Sequence, residues 1–311
     1  MNIEKIHNLL LSSKSVLVIT VLAFVVLRLY PTIYNQPDNW SLWSCLLIQM
    51  GIAFALLHLN YTFTIIQKNT FLPTLFYLLF TGFNPDFYSD LKGSIAAFCI
   101  VLSYYFLFDS YEKPKSQINA LNISLVLVLG SLLRPQLLLL FPIVWIGFYR
   151  FQCLNMRVFF ANLTGFVIVY LFIFALSLFQ GDKNILLSLL PQVDTLFAIQ
   201  KPNFTISEWL TGGLLIIFCL GIGLYVLFFN ISERIWGISV LGYFFFSSLI
   251  IFLFYFLQSE YKSTWGLIIY IPVAFLTGYF FSNSNKKSVQ YLLLLFFLFL
   301  VGNGIIQNMG S

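Results

Sequence analysis

The stretch GSLLRPQLLLLFPIVWIG, residues 130–147, is the most informative part of the chain, because it places Arg134 and Pro135 between two apolar runs. Each run is shorter than the roughly 20 residues that an upright helix needs to cross a membrane. Pro135 lacks a backbone N–H donor and disfavours helical geometry in the residue before it. We therefore expect the chain to enter the bilayer, break at the Arg-Pro-Gln step and turn back. A break that carries a guanidinium group could meet a polar ligand.

The composition indicates an integral membrane protein. The 311 residues are 60% hydrophobic and 9% charged, whereas soluble domains carry about 25% charged residues. The net charge of +5 does not indicate nucleic-acid binding, because in a membrane protein the distribution of Lys and Arg matters more than their sum. We find no repeat and no low-complexity linker, so residues 1–311 are predicted to form a single integral membrane domain.

The hydrophobic runs predict an all-α polytopic transmembrane bundle of about ten or eleven membrane segments. The segments near 71–83 and the pair within 119–149 are short, so they are candidates for re-entrant helices. The predicted segments are 15–30, 42–66, 71–83, 93–108, 119–133, 136–149, 158–179, 209–229, 238–256, 264–281 and 291–306.

The loops between these segments predict the orientation. Most Lys and Arg residues fall on the same side as the N-terminus, and acidic residues outnumber basic ones on the other side. By the positive-inside rule, the N-terminus is cytoplasmic and the C-terminus external.

Chemistry inside the spans is sparse. Their interiors contain essentially no Asp, Glu, Lys or Arg, which disfavours a proton-driven transporter. Gln49, His58 and Asn162 are the main polar candidates there. No Walker, Rossmann, nucleophile-elbow, HExxH or CxxC motif is present, no metal site is predicted, and no motif specifies a cofactor.

Polar residues gather instead on the predicted outer side. Carboxylates there can act as general bases or hold a divalent metal, and arginine recognises phosphate through two hydrogen bonds. A cleft that joins these groups suits a lipid-linked phosphate donor, and the alternative is ordinary solvated loop charges with a snorkelling arginine. The candidate catalytic residues are Asp38, Asp86 and Asp90, and the candidate substrate-binding residues are Lys92, Arg134 and Gln136.

Two resemblances follow from these residues. The run from Leu72 to Arg157, with its short proline-containing helix and the segment LGSLLRPQLLLLFPIVW, resembles the middle of GT-C class membrane glycosyltransferases. That resemblance implies a polyprenyl-phosphate-linked sugar donor used at the external face. It also implies an acidic residue in the first external loop, where Asp38 is the acid available, although the paired-acid signature of the class is missing.

Most of the chain more closely resembles an uncharacterised family of bacterial polytopic inner-membrane proteins. Those proteins have a similar proline break followed by a segment like PIVWIGFYRFQCLNMRVFFANLTGF. This resemblance implies a bacterial inner-membrane location and no particular activity.

Three hypotheses stay open. In the first, the protein is a GT-C-like transferase that handles a lipid-linked sugar or glycan. Asp38 would be the base or a metal ligand, Asp86 and Asp90 would support it, and Arg134 would hold the phosphate. In the second, a non-catalytic subunit scaffolds a cell-envelope complex. The third, a passive permease, is disfavoured by the lack of intramembrane charge. Membrane lipids are partners in each case, joined by a polyprenyl-phosphate-linked substrate in the first and by other envelope proteins in the second.

Overall fold

A computed structural model describes residues 21, 24, 40–66, 70–82, 84–180, 204, 206–229, 235–283 and 302. This part of the chain is helical and contains no strand. The all-α prediction is therefore confirmed. The predicted segments 15–30 and 291–306 lie almost wholly outside the described residues, and Asp38 also lies outside them.

Nine α-helices occur in the described ranges. They are α1 (Trp40–Phe63), α2 (Leu72–Gly82), α3 (Leu91–Asp109), α4 (Gln117–Ser131), α5 (Phe141–Arg150), α6 (Met156–Gln180), α7 (Ile206–Phe229), α8 (Ile235–Leu257) and α9 (Lys262–Asn283). Three 3-10 turns accompany them, at Pro85–Phe87, Pro135–Leu140 and Ser259–Tyr261.

Within the described ranges, five helical segments are long and apolar enough to cross a membrane, which indicates a multi-pass membrane protein. They are Trp40–Phe63, Leu91–Asp109, Met156–Phe179, Ile235–Leu257 and Ser259–Asn283. The short segments predicted from the sequence are also present. The 11 residues of α2 extend about 16 Å at about 1.5 Å per residue, well below the roughly 30 Å of a bilayer core.

The described residues group into two compact units. The first combines Met1–Ser94 with Lys201–Ser311, and the second is Ile95–Gln200. The chain passes between them within α3, and the prediction of one membrane domain stays a prediction.

The first unit is organised around α9, which packs against α2, α7, α8 and the turn Pro85–Phe87. In the most apolar stretch of Ser259–Asn283, which contains α9, 89% of the residues are buried. Two glycines bring neighbours close to α9: a Cβ on Gly278 would lie 3.0 Å from the ring of Pro73, and one on Gly266 would lie 2.7 Å from the ring of Phe87. Larger residues at these positions would force the packed elements apart.

The second unit is organised around the contact between α4 and α6. A Cβ on Gly165 would collide with Ser124 Oγ and lie 3.0 Å from the backbone oxygen of Leu121, so α4 and α6 can pack this closely because residue 165 has no side chain. Close beside it, the buried Asn162 donates from Nδ2 to the Ala120 carbonyl at 3.0 Å and accepts from Trp145 Nε1 at 3.0 Å. Asn162, a polar candidate in the sequence, therefore holds these elements together.

Candidate functional site

One end of the first unit gathers charged side chains from three separate segments. There α2 and α8 finish, while α7 and α9 begin. Asp86 comes from the turn after α2, Glu208 from the first turn of α7 and Lys262 from the first residue of α9. We call these three residues the charged cluster.

Lys262 lies between the two carboxylates of the charged cluster. Its Nζ donates to Glu208 Oε1 at 2.5 Å and lies 3.3 Å from Asp86 Oδ2. The Glu208 side chain is 7% exposed, whereas that of Asp86 is 41% exposed. Glu208 thus neutralises Lys262 from the buried side, and Asp86 presents a carboxylate to the outside. With two carboxylates ionised against one ammonium group, the cluster holds a surplus negative charge.

The environment of Asp86 changes the pKa of its carboxyl. Burial raises this pKa, Lys262 lowers it, and the hydrogen bond and charge of Glu208 raise it further, with a net upward change from the ordinary value. A carboxylate of raised pKa is a stronger base while it is ionised, and such groups are suited to general acid–base chemistry.

Neutral polar groups shape the surroundings of Asp86. Its backbone N–H donates to Asn84 Oδ1 at 3.1 Å, which is the short-range bond by which an asparagine fixes a turn. The Tyr270 ring meets the ring of Phe87, the residue after Asp86, edge-on with centroids 5.5 Å apart. A Cβ on Gly266 would lie 2.7 Å from the Phe87 ring and 3.8 Å from the Tyr255 ring. Two tyrosines, one each from α8 and α9, therefore lie beside the turn that carries Asp86.

The carboxylate of Asp90, the second predicted acid of this loop, accepts hydrogen bonds from three groups. Its Oδ2 accepts from Ser263 Oγ at 2.6 Å and from Thr264 Oγ1 at 3.0 Å, and its Oδ1 accepts from the Gly93 N–H at 2.8 Å. Asp90 therefore caps the start of α3 and joins it to α9. This geometry favours a structural role, and the catalytic role drawn from the sequence stays a prediction.

Gln49 supports the same loop from within α1. Its Nε2 donates to the Phe87 carbonyl at 3.1 Å and to Ser94 Oγ at 3.3 Å, and the side chain is buried. This polar candidate inside a span therefore positions the turn that carries Asp86. Lys92 lies in the first turn of α3 and is exposed to the surroundings.

The remaining predicted site residues are Arg134, Gln136 and Asp38. Arg134 and Gln136 belong to the second unit, so a cleft shared with Asp86 stays a prediction. The break itself is confirmed: α4 ends at Ser131, Arg134 is extended with φ −138° and ψ 94°, and Pro135 opens a 3-10 turn. Gln136 is buried in that turn, and Arg134 is half-buried. Asp38 lies outside the described residues.

Sequence reasoning did not select Glu208 and Lys262 as site residues. They are 54 positions apart and match no motif. A usable signal was that each opens a long apolar helix, because the predicted alternation brings such helix ends to one side.

Within the described ranges, no group of three or more His, Cys, Asp or Glu side chains is placed to hold a metal ion. Comparison of the chain with protein-family models, with curated proteins and with solved structures finds no match.

Proposed function

We propose that this multi-pass membrane protein is a GT-C-like transferase that handles a lipid-linked sugar, with Asp86 as the general base. The observation that supports this most directly is the position of Asp86. It is a partly exposed carboxylate of raised pKa on a turn held by Asn84 and Gln49, next to Lys262. A positioned carboxylate of this kind can take the proton of an acceptor hydroxyl.

In the proposed reaction, the acceptor oxygen bonds to the anomeric carbon of the donor sugar. The bond from that carbon to the phosphate oxygen breaks, and the polyprenyl phosphate leaves with the electron pair. Asp86 takes the proton of the acceptor hydroxyl. Lys262 keeps the Asp86 carboxylate in place at 3.3 Å.

The test is sugar transfer by the purified protein in lipid nanodiscs, supplied with polyprenyl-phosphate-linked radiolabelled sugars and acceptor glycans. Asp86→Asn keeps the side-chain shape and is expected to lower the rate at least about 100-fold, because a general base contributes roughly that much. Asp109→Asn is the matched control, since Asp109 is paired with Lys113 in the second unit.

Asp38→Asn decides between the two candidate bases. Loss of transfer in Asp38→Asn with normal transfer in Asp86→Asn assigns the base to Asp38, as the GT-C resemblance implies. Normal transfer in both variants contradicts a role for either carboxylate.

The alternative, a non-catalytic subunit of a cell-envelope complex, is favoured by the surface of α6. Large apolar side chains are exposed along this helix, including Phe160, Phe172 and Phe179, and such a surface suits lipid or a partner helix. This function predicts no transfer by wild-type protein. It also predicts that Phe172→Ala lowers recovery of an intact envelope complex, while Asp86→Asn leaves recovery unchanged.

A further inference from the structure

We infer that a sugar ring of the lipid-linked substrate stacks against Trp209, at an aromatic wall formed by Phe204, Trp209, Tyr255 and Phe256. This inference rests on the proposed function and adds a binding subsite to it.

The four rings of the aromatic wall form one continuous group. Trp209 stacks on Phe256 with ring centroids 5.3 Å apart, and Phe204 stacks on Tyr255 at 5.2 Å. Phe204 also meets the edge of Trp209 at 5.4 Å and of Phe256 at 5.5 Å. These distances are those of favourable aromatic pairs. The wall therefore holds the Trp209 ring in a defined orientation.

The aromatic wall adjoins the charged cluster at two points. Trp209 directly follows Glu208 in the first turn of α7, and a Cβ on Gly266 would lie 3.8 Å from the Tyr255 ring and 2.7 Å from the ring of Phe87, the residue after Asp86. Glu208 is buried, whereas Trp209 is 48% exposed. An accessible indole thus belongs to a wall whose Tyr255 ring packs beside the turn that carries Asp86.

This combination matches the two surfaces of a pyranose. One face of the sugar presents C–H groups, which pack against the electron-rich face of an indole. The hydroxyl groups at its rim donate to carboxylates, and the exposed Asp86 offers acceptor oxygens. The wall therefore suits the sugar part of the substrate.

Tryptophan also occurs widely at membrane interfaces, so the test needs an interfacial control. Trp40 serves this purpose, because it is 84% exposed at the start of α1, in the same unit. Trp40 is not part of the aromatic wall. A response to lipid in general is expected at Trp40 as well as at Trp209.

The experiment labels the full-length protein in nanodiscs with 5-fluorotryptophan and records its ¹⁹F NMR spectrum. Trp209→Phe and Trp40→Phe assign the two resonances. The probes are polyprenyl phosphates that carry glucose, mannose or N-acetylglucosamine, and the same polyprenyl phosphate without sugar. We expect at least one sugar-bearing lipid to shift the Trp209 resonance, while the sugar-free lipid leaves it in place.

Affinity gives the second readout. Trp209→Leu is expected to weaken binding of the effective sugar lipid about two- to tenfold, the range of one aromatic contact. Trp209→Phe, which keeps an aromatic face, should retain most of the affinity, and Trp40→Leu should retain all of it. Equal Trp209 shifts with and without sugar overturn the subsite, as does unchanged affinity in Trp209→Leu.

These outcomes separate the subsite from the proposed function. Sugar-dependent shifts at Trp209 in a protein that transfers no sugar support the subsite and refute the transferase. Transfer that needs Asp86 but has an unchanged KM in Trp209→Leu refutes the subsite and keeps the transferase. A protein that binds none of the lipids refutes both.

Discussion

The charged cluster of the first unit and the proline break of the second unit present charge in opposite ways. In the cluster, Lys262 contacts both Glu208 and Asp86, which are supplied by distant segments. At the break, the cation Arg134 and the helix-breaking Pro135 are adjacent in the chain. A feature formed by adjacent residues can be recognised in the sequence, whereas a cluster of distant residues can be recognised only in the folded structure.

The two units also differ in how polar bonds join their helices. In the first unit, charged residues bond at helix ends, where Lys262 meets Glu208 and Asp90 meets Ser263, and the neutral Gln49 bonds from within α1. In the second unit, Asn162 makes its bonds from within α6. Substitutions at helix ends should therefore act through charge, and substitutions within α6 through hydrogen bonding and packing.

Lys262→Met should produce the largest effect on stability. It removes the positive charge next to the buried Glu208, and breaking a buried ion pair from one side is strongly destabilising. Because Lys262 is partly exposed, we expect a loss of about 2–4 kcal/mol. The fall in the thermal unfolding midpoint of the nanodisc-embedded protein measures it.

Lys92→Met is the matched control, since Lys92 is an exposed lysine in the first turn of α3, and it should change the midpoint little. The double variant Glu208→Gln/Lys262→Met should recover much of the loss, because neither charge remains. A double variant that is less stable than Lys262→Met would contradict the pairing.

Arg134→Gln tests the break as a phosphate site. Loss of a charge-assisted hydrogen bond should weaken binding of polyprenyl phosphate by about tenfold. Arg157→Gln is the control, because Arg157 is an exposed arginine in the first turn of α6. Equal affinities of the two variants, measured by lipid titration, would assign Arg134 to anchoring at the membrane surface.

Asn162→Ala should cost about 1 kcal/mol, since interhelical hydrogen bonds in membranes contribute roughly 0.6 kcal/mol each and this side chain makes two. Thermal unfolding again measures the loss. Thr164→Ala is the comparison, because the exposed Thr164 bonds within its own helix, to the Ala161 carbonyl. A smaller loss for Asn162→Ala than for Thr164→Ala would show that the α4–α6 contact does not depend on the amide.

The pH dependence of Asp86→Asn should be the smallest effect. A carboxyl whose pKa is raised on folding stabilises the folded state below the ordinary pKa of about 4, and this contribution is lost as pH rises through the raised pKa. The midpoint of Asp86→Asn relative to wild type should therefore increase between pH 4 and pH 7, by the equivalent of less than about 1 kcal/mol.

Because Glu208 contributes to raising the pKa of Asp86, the same comparison in a Glu208→Gln background should show a weaker pH dependence. A midpoint difference that decreases toward neutral pH would show that Lys262 outweighs both burial and Glu208.

The sequence predicted the helices well where the chemistry was local. Hydropathy located the described spans, and the proline rule located the break at Arg134, because both depend on neighbouring residues. The central position of α9 was not predicted, since its apolar composition resembles that of the other spans and its packing depends on Gly266 and Gly278 meeting distant rings.

The candidate site was predicted in part. The loop containing Asp86 and Asp90 was identified from its acids, but their different environments depend on hydroxyls and charges supplied from α7 and α9. Similarly, Gln49 and Asn162 were recognised as unusual polar residues in spans, and only the contacts show that they join helices. Pairings over such separations leave no periodic pattern in a single sequence.

The bond between Lys262 and Glu208 also has a consequence for biosynthesis. Its partners are 54 residues apart, and the bonds from Ser263 and Thr264 to Asp90 span more than 170 residues. A ribosome must therefore deliver α7, α8 and the start of α9 before Glu208 can meet its lysine. Until then the nascent chain carries Glu208 and Asp90 without these partners, so the polar end of the first unit can close only late in translation.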